Sequence, residues 1–324
     1  MDINEIKDSV APGLQRVNNL IKSTLESEVF LLNEINEYLH EIKGKQLRPL
    51  LSLLSGMACG IPDEKTYRCA AVAEMIHTAT LLHDDVADDA PQRRGSQTVQ
   101  SRFSPAISVL TGDYWLAKAL SLLVSQNDNI LMGFYTKAVQ DLSEGELLQM
   151  QKATSLDTTK EDYLSIISKK TSSLFIAAIA GAAYSAGAPE TVINCMERYA
   201  YHLGVAFQIR DDIFDYMPDL DTGKNAGTDI REKKLTLPLI CALNTAGKEM
   251  GNSILSFIKE TLEGDPSLVQ RTFAFVDEYD GVGCAQSVLR EHSGKAIEAL
   301  SILEDSVYKF ELERVARYVG ERII

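Results

Sequence analysis

Residues 68–83, RCAAVAEMIHTATLLH, are apolar nearly all round and run straight into Asp84-Asp85-Val86-Ala87-Asp88-Asp89. A helix apolar on every face has to lie in the middle of a bundle, so this segment demands other helices around it. Residues 198–210 repeat the design and end in Asp211-Asp212-Ile213-Phe214-Asp215. Helical spacing recurs at Val17, Leu20, Ile21 and Leu25, and at Leu164, Ile167, Leu174 and Phe175, whereas strand alternation is absent. Prolines fall mostly between the periodic stretches, and Pro49 suits the first turn of a helix running from Leu50 towards Cys59. The expectation is an all-α, single-domain bundle of about ten or more helices around a central apolar cavity. It covers residues 1–324 with no linker, and its longest loops are Ala90 to Pro105 and Tyr216 to Thr236.

Both acidic clusters contain DDxxD. Positions i and i+4 of a helix share a face, so Asp84 points with Asp88, and Asp211 with Asp215. Like charges at that spacing repel, and both clusters follow long apolar helices, where the helix dipole opposes them. One such cluster could be a solvated helix end; two in the same awkward setting point to bound cations. Carboxylate oxygens are the ligands magnesium prefers, with its shell completed by water and substrate phosphate. An EF-hand reading of Asp219-Leu220-Asp221-Thr222-Gly223 lacks a third ligand position and the distal Glu.

With a net charge of -14, the chain is a poor partner for nucleic acid. An acidic protein that binds anions must gather its cations locally. Arg93 and Arg94 follow the first cluster, Lys224 and Lys234 flank the loop after the second, and Lys45 and Arg48 lie in Gly44-Lys45-Gln46-Leu47-Arg48-Pro49. Lys169-Lys170-Thr171 interrupts an otherwise apolar stretch. Arginine reads phosphate bidentately, and lysine acts as a mobile point charge. The five cysteines, Cys59, Cys69, Cys195, Cys241 and Cys284, are odd in number, widely spaced and free of CxxC, which reads as free thiols in a reducing compartment. Met1 to Glu5 lacks the basic-then-apolar plan of a signal peptide. The longest apolar runs, such as Phe175 to Ala183, reach about half a membrane span. The expectation is a cytoplasmic protein with no integral membrane segment.

Taken in order, these residues resemble the trans-type polyprenyl diphosphate synthases, from Lys43 to about Leu243 with a weaker C-terminal third. The carrying motifs are Lys43-Gly44-Lys45-Gln46-Leu47-Arg48-Pro49, then Leu81-Leu82-His83-Asp84-Asp85-Val86-Ala87-Asp88 with Arg93-Arg94-Gly95, then Gly112-Asp113-Tyr114 and Lys170-Thr171. Phe207-Gln208-Ile209-Arg210-Asp211-Asp212-Ile213-Phe214-Asp215 follows, then Gly223 to Asp229, running into Lys234-Leu235-Thr236-Leu237-Pro238. Lys43 stands where the family has the first Gly of GGK, and Lys233 where it often has Gly; both departures touch loop geometry only.

The resemblance implies an isoprenoid synthase-like helical fold and a magnesium cluster of about three ions. Asp84, Asp88 and Asp211 would be its leading ligands, with Asp85, Asp212 and Asp215 supporting them directly or through water. Arg93, Lys170 and Lys224 would hold an allylic diphosphate, with Thr171 and Gln208 close by; Lys170, Thr171 and Lys224 are the candidate catalytic residues. Lys45, Arg48, His77 and Arg94 would hold isopentenyl diphosphate, and Lys234 would help close the site. A homodimer is likewise implied. In this family a bulky aromatic four or five residues before the first cluster stops chain growth. Here those residues are Thr80 and Ala79, about one turn deeper along the helix, so the implied product is long, about eight or more isoprene units, of the kind used for quinone side chains. Trp115 or Phe134 could act as deeper plugs. Alternative readings are a short-chain farnesyl or geranylgeranyl diphosphate synthase, a non-catalytic partner subunit, a class I terpene cyclase and a helical acidic interaction protein. The last leaves the placed Lys and Arg residues unexplained.

Overall fold

A computed structural model describes residues 3–42, 44–93, 95–125, 127–218, 226–262 and 265–321. In chain order the helices are α1 (Ile3–Asp8), α2 (Ala11–Thr24), α3 (Phe30–Glu41), α4 (Leu47–Cys59), α5 (Glu64–Ala87), α6 (Val99–Arg102), α7 (Pro105–Val124), α8 (Asn129–Ser155) and α9 (Lys160–Ile167). After a π-helical turn at Ser168–Ser172 come α10 (Ser173–Ser185), α11 (Glu190–Asp215), α12 (Thr228–Arg231), α13 (Leu237–Glu260), α14 (Pro266–Glu278), α15 (Gly281–Ala299) and α16 (Val307–Glu321). The protein is all-α; the strands among the described residues are β1 (Gln92–Arg93) and β2 (Ser96–Gln97), an antiparallel pair inside the first long loop.

The chain divides into two compact units: Met1–Val139 with Leu174–Arg198 and Leu300–Arg314, and Gln140–Ser173 with Tyr199–Ala299 and Val315–Ile324. Each is assembled from three separated segments, so no linker marks a boundary. In the first unit α5 packs against α7, α4 and α2, as its apolar circumference requires. Cys69, Val72, Met75, Ile76 and Leu82 are all buried. Its start is fixed by a capping box: the Asp63 carboxylate accepts the amides of Lys65 (2.8 Å) and Thr66 (3.3 Å), and the Thr66 hydroxyl accepts the Asp63 amide at 3.4 Å. In the second unit α13 packs against α15 and α14.

Three expectations need adjusting. Helix α4 begins at Leu47, three residues earlier than expected, and Pro49 still falls in the first turn, where its missing N–H costs nothing. Two helical stretches, Pro105–Val124 and Lys160–Ser185, are long and apolar enough by composition to cross a membrane. Counting uninterrupted apolar residues missed them, because scattered serines, threonines and lysines break the runs without lowering the mean. Lys160–Ser185 is mostly buried within the protein, as a core segment is, whereas most of α7 is not. Finally, Cys241 and Cys284 are joined by a disulfide, contrary to the reading of five free thiols. An odd count only guarantees that one thiol is left over, and these two are 43 residues apart in sequence, a pairing that spacing cannot announce.

Candidate active site

In the first unit the aspartates occupy the end of α5. Asp84 and Asp85 lie in its last turn; Asp88 caps it, its amide donating to Asp84 O at 2.9 Å. Asp85 is buried and accepts the Arg93 Nε–H at 2.6 Å. Its carbonyl accepts Gln100 Nε2 at 2.7 Å and the Ala90 amide at 2.9 Å, which folds the β1–β2 hairpin back onto the helix end. Asp84 is half-buried and Asp88 exposed. His83 lies 3.3 Å from the Asp113 carboxylate of α7, tying the Gly112-Asp113-Tyr114 block to the same turn.

A cavity of about 830 Å³ opens beside this end of α5, with His77, Leu81, Asp85, Arg93 and Trp115 on its wall together with Gly44 and Gln46. The structure therefore brings His77, Asp85 and Arg93 to one space. Lys45, between Gly44 and Gln46, is exposed. The Arg48 guanidinium stacks over the Phe175 ring, 4.9 Å from its centre. Trp115 lines the cavity and donates its indole N–H to Asn36 Oδ1 at 2.9 Å. Ala79 is buried in the core, and the Thr80 hydroxyl turns back to the His77 carbonyl at 2.9 Å. Arg94 and Lys224 lie outside the described residues.

In the second unit one continuous chain of hydrogen bonds crosses from the π-turn to α9. The Thr171 hydroxyl donates to Gln208 Oε1 (2.7 Å), Gln208 Nε2 donates to Asp212 Oδ1 (2.8 Å), and the Tyr163 hydroxyl donates to Asp212 Oδ2 (2.6 Å). Both oxygens of buried Asp212 are thus held. A β-carbon on Gly204 would lie 2.7 Å from Ser172 Cα, so a glycine is what allows α11 to approach the π-turn closely enough for this link. Such π-turns are commonly found at functional sites, and this one carries both Lys169 and Lys170. Lys169 pairs with Asp141 (3.3 Å) and Glu144 (2.6 Å), and the Glu144 hydrogen bond, followed by that of Asp141, holds its pKa above the ordinary value. Lys170 turns instead to Glu146 and Gln149.

A small pocket of about 140 Å³ collects Lys170, Thr171, Gln208, Asp212 and Lys234, together with Tyr163, Gln149 and Asp229. Asp211 is half-buried at the end of α11. The Asp215 carboxylate accepts the amides of Thr228 (3.0 Å) and Asp229 (3.1 Å), and its carbonyl accepts that of Gly227 (2.8 Å). In this way the second cluster fastens the far end of the loop that follows it. Lys234 pairs with Glu232 at 2.5 Å. Lys233 adopts a φ of +55°, the left-handed region where a Gly is at home, and its ammonium donates to the carbonyls of Lys259 (3.2 Å) and Thr261 (3.4 Å).

Sequence reasoning did not single out Tyr163, Gln149, Glu146 or Asp229. Asp229 closed a quoted motif and so could have been found. It is buried, and burial together with Asp212 and Asp215 pushes its carboxyl well above the usual range. Tyr163, Glu146 and Gln149 carried no signal beyond helical spacing.

The donor set is carboxylate oxygen throughout, which fits a hard divalent cation. Yet among the described residues no three His, Cys, Asp or Glu side chains converge to hold an ion by themselves. Magnesium needs no such cage, because it retains water and takes substrate phosphate oxygens into its shell.

A helical protein whose carboxylate-bearing helix ends lie beside arginine and lysine belongs to a class suited to a polyanion and its counter-cations. A family model described as polyprenyl synthetase matches residues 29–275. The chain is 38% identical over 330 residues, the whole of both chains, to an all-trans-nonaprenyl-diphosphate synthase (geranyl-diphosphate specific) of Rhodobacter capsulatus. The crystal structure of a decaprenyl diphosphate synthase from Rhodobacter capsulatus superposes with a TM-score of 0.93 at 33% identity, covering 100% of each chain. That of a polyprenyl synthase from Caulobacter crescentus, complexed with calcium and isoprenyl diphosphate, gives 0.90 at 31% identity, covering 99% of this chain and 98% of that one. The chain belongs to the polyprenyl synthetase family. It is an enzyme, a prenyltransferase, and the family is generally magnesium-dependent.

Proposed function

We propose that this enzyme adds successive isopentenyl diphosphates to an allylic starter, farnesyl or geranylgeranyl diphosphate, to make a long all-trans polyprenyl diphosphate, of the kind used for a quinone side chain. The hydrogen-bonded chain Thr171–Gln208–Asp212–Tyr163 carries the reading. It supports a site in which a carboxylate able to hold a cation is fixed in advance beside Lys170 and Lys234; that cation and the lysines would stabilise a leaving anion.

In this proposal Arg93, Lys170 and Lys224 hold the allylic diphosphate, with Thr171 and Gln208 orienting it. Lys45, Arg48, His77 and Arg94 hold isopentenyl diphosphate, and Lys234 with its loop excludes water. Asp84, Asp88 and Asp211, with support from Asp85, Asp212 and Asp215, would hold about three magnesium ions, which would supply charge neutralisation to the diphosphate. The allylic C–O bond breaks with its electron pair going to the diphosphate. The isopentenyl double bond attacks the cation, and proton loss to the departed diphosphate restores the alkene. No protein base is assigned. Lys170 reaches the substrate by leaving Glu146 and Gln149.

The whole chain acts as one catalytic domain in the cytoplasm. Helix α7 is proposed to meet a second copy of this chain. It is apolar along most of its length, yet Leu110 and Val124 are 67% and 59% exposed.

The test is incubation with farnesyl diphosphate, labelled isopentenyl diphosphate and magnesium, with an EDTA control, followed by sizing of the dephosphorylated products. A metal-dependent ladder ending at a long chain is the expected result. A single short product would keep the reaction class and overturn the length. No condensation with any allylic starter would bring back the partner-subunit and cyclase readings. Ala79→Phe, replacing a small residue one turn below Asp84, should shorten the product.

A further inference from the structure

The five cysteines fall into two sets. Cys59 is half-buried and Cys69 buried, and burial pushes both thiols up to about 12, so at neutral pH they carry almost no reactive thiolate. Cys195 is buried as well. Cys241 and Cys284 are different: they are bonded to each other, one on α13 and one on α15, with their Cα atoms 6.1 Å apart. That separation lies within the span a disulfide bridges. Cys284 is exposed, whereas Cys241 is 4% exposed.

What brings them together is backbone packing. A β-carbon on Gly281 would lie 2.2 Å from the Pro238 carbonyl oxygen and 3.1 Å from the Ala242 side chain. Only a glycine lets the start of α15 rest directly on the first turn of α13. Gly281 is three residues from Cys284, and Pro238 three from Cys241, so this backbone contact, which does not involve the S–S bond, brings the two cysteines opposite each other.

We propose that Cys241 and Cys284 form a reversible thiol–disulfide couple, a redox modification site that exchanges with an external disulfide or dithiol. The exposed Cys284 thiolate attacks one sulfur of an external disulfide and releases one thiolate. The Cys241 thiol loses its proton to solvent, and its sulfur attacks Cys284 Sγ and displaces the second thiolate. Two protein thiols become one disulfide, and the two electrons reduce the external disulfide to two thiols. Reduction by a dithiol reverses both steps. Closure joins residues 43 apart, encloses α14 and fastens α13 immediately after Lys234, Leu235 and Thr236, which line the polar pocket. The couple is independent of prenyl transfer, since it is read without substrate.

The full chain is equilibrated with graded ratios of reduced and oxidised glutathione, denatured, alkylated with N-ethylmaleimide and weighed intact. Three of the five cysteines should be alkylated under oxidising conditions and all five under reducing ones, in one two-electron transition, with Cys241 and Cys284 recovered in one linked peptide. Cys241→Ser should trap glutathione on Cys284, and Cys284→Ser should keep all its thiols at every ratio. Reduction should lower the Tm of the natural protein by several degrees and leave that of Cys284→Ser unchanged. Five alkylated cysteines at every ratio, a different linked pair, or a Tm indifferent to reduction would overturn the proposal. If Cys241→Ser does not fold, the thiol count of the natural protein and of Cys284→Ser, an exposed substitution, still decides.

Discussion

The two aspartate clusters share a motif and little else. At the end of α5, Asp85 is held by one arginine side chain that arrives on a hairpin, and Asp88 is exposed. At the end of α11, Asp212 accepts from Gln208 and Tyr163, and Asp215 accepts two backbone amides of the following loop. Asp85 is thus met by a cationic side chain, while Asp212 and Asp215 have neutral donors among their partners. A DDxxD pattern therefore states which atoms are offered but not how firmly they are placed. That is set by residues far away in sequence, Tyr163 being 49 positions from Asp212.

The strongest way to break the comparison is to remove a leading carboxylate from each side. Asp84→Asn and Asp211→Asn should each lower kcat by about a thousandfold or more, roughly 4 kcal/mol of transition-state stabilisation. Steady-state assay at saturating magnesium reads it. If either variant kept kcat within tenfold, that cluster would be no part of the reaction centre, and the two clusters would differ in purpose as well as in rigidity.

Each aspartate helix also carries an upstream histidine, and these diverge too. His77 on α5 faces the large cavity. His202 on α11 shares a hydrogen bond with His292 of α15, Nδ1 to Nδ1 at 3.1 Å. Burial, then the neighbouring His202, lowers the His292 pKa to about 4. The folded state thus holds this ring neutral, while the unfolded state protonates it below about 6.5. Stability from this group is full above pH 6.5 and is lost as the pH falls towards 4. The loss should reach about 2 kcal/mol by pH 5. Denaturant unfolding of the natural protein and of His292→Gln between pH 8 and pH 5 should show the steeper decline in the former. Parallel curves would mean that the pair titrates as it does when unfolded.

A smaller effect probes rigidity itself. Tyr163→Phe takes one donor from Asp212 and leaves the ring in place. It should lower kcat/KM about tenfold, roughly 1.4 kcal/mol, and raise the magnesium concentration needed for half-maximal rate. Because Tyr163 acts through Asp212, a loss confined to thermal stability would assign it to packing and weaken the contrast between the clusters.

Much of this was legible in the chain. The all-round apolar segment before Asp84 could only be a central helix, and α5 is one. The aspartate clusters stood out because DDxxD spacing is local, whereas Arg93, Lys170, Thr171 and Gln208 were named through the resemblance to the family's ordered motifs. Tyr163, Glu146 and Gln149 were not legible, since each matters only through a partner on another helix. The disulfide failed for the same reason: helix packing around Gly281 selects Cys241 and Cys284, and cysteine arithmetic does not.

The finest test concerns the loop that the second cluster fastens. Lys233 occupies left-handed backbone at a φ of +55°, where the family often has glycine, and offsets this with hydrogen bonds to Lys259 O and Thr261 O. A non-glycine residue there costs about 1 kcal/mol, and two partly exposed hydrogen bonds recover part of that. Lys233→Gly relieves the backbone and loses the bonds, so it should gain about 0.5 kcal/mol. Lys233→Met keeps the backbone cost and loses the bonds, so it should be destabilised by a similar amount. Unfolding midpoints for the pair separate the two contributions. Equal losses in both variants would mean that the ammonium contacts, and not the backbone, set the shape of this loop.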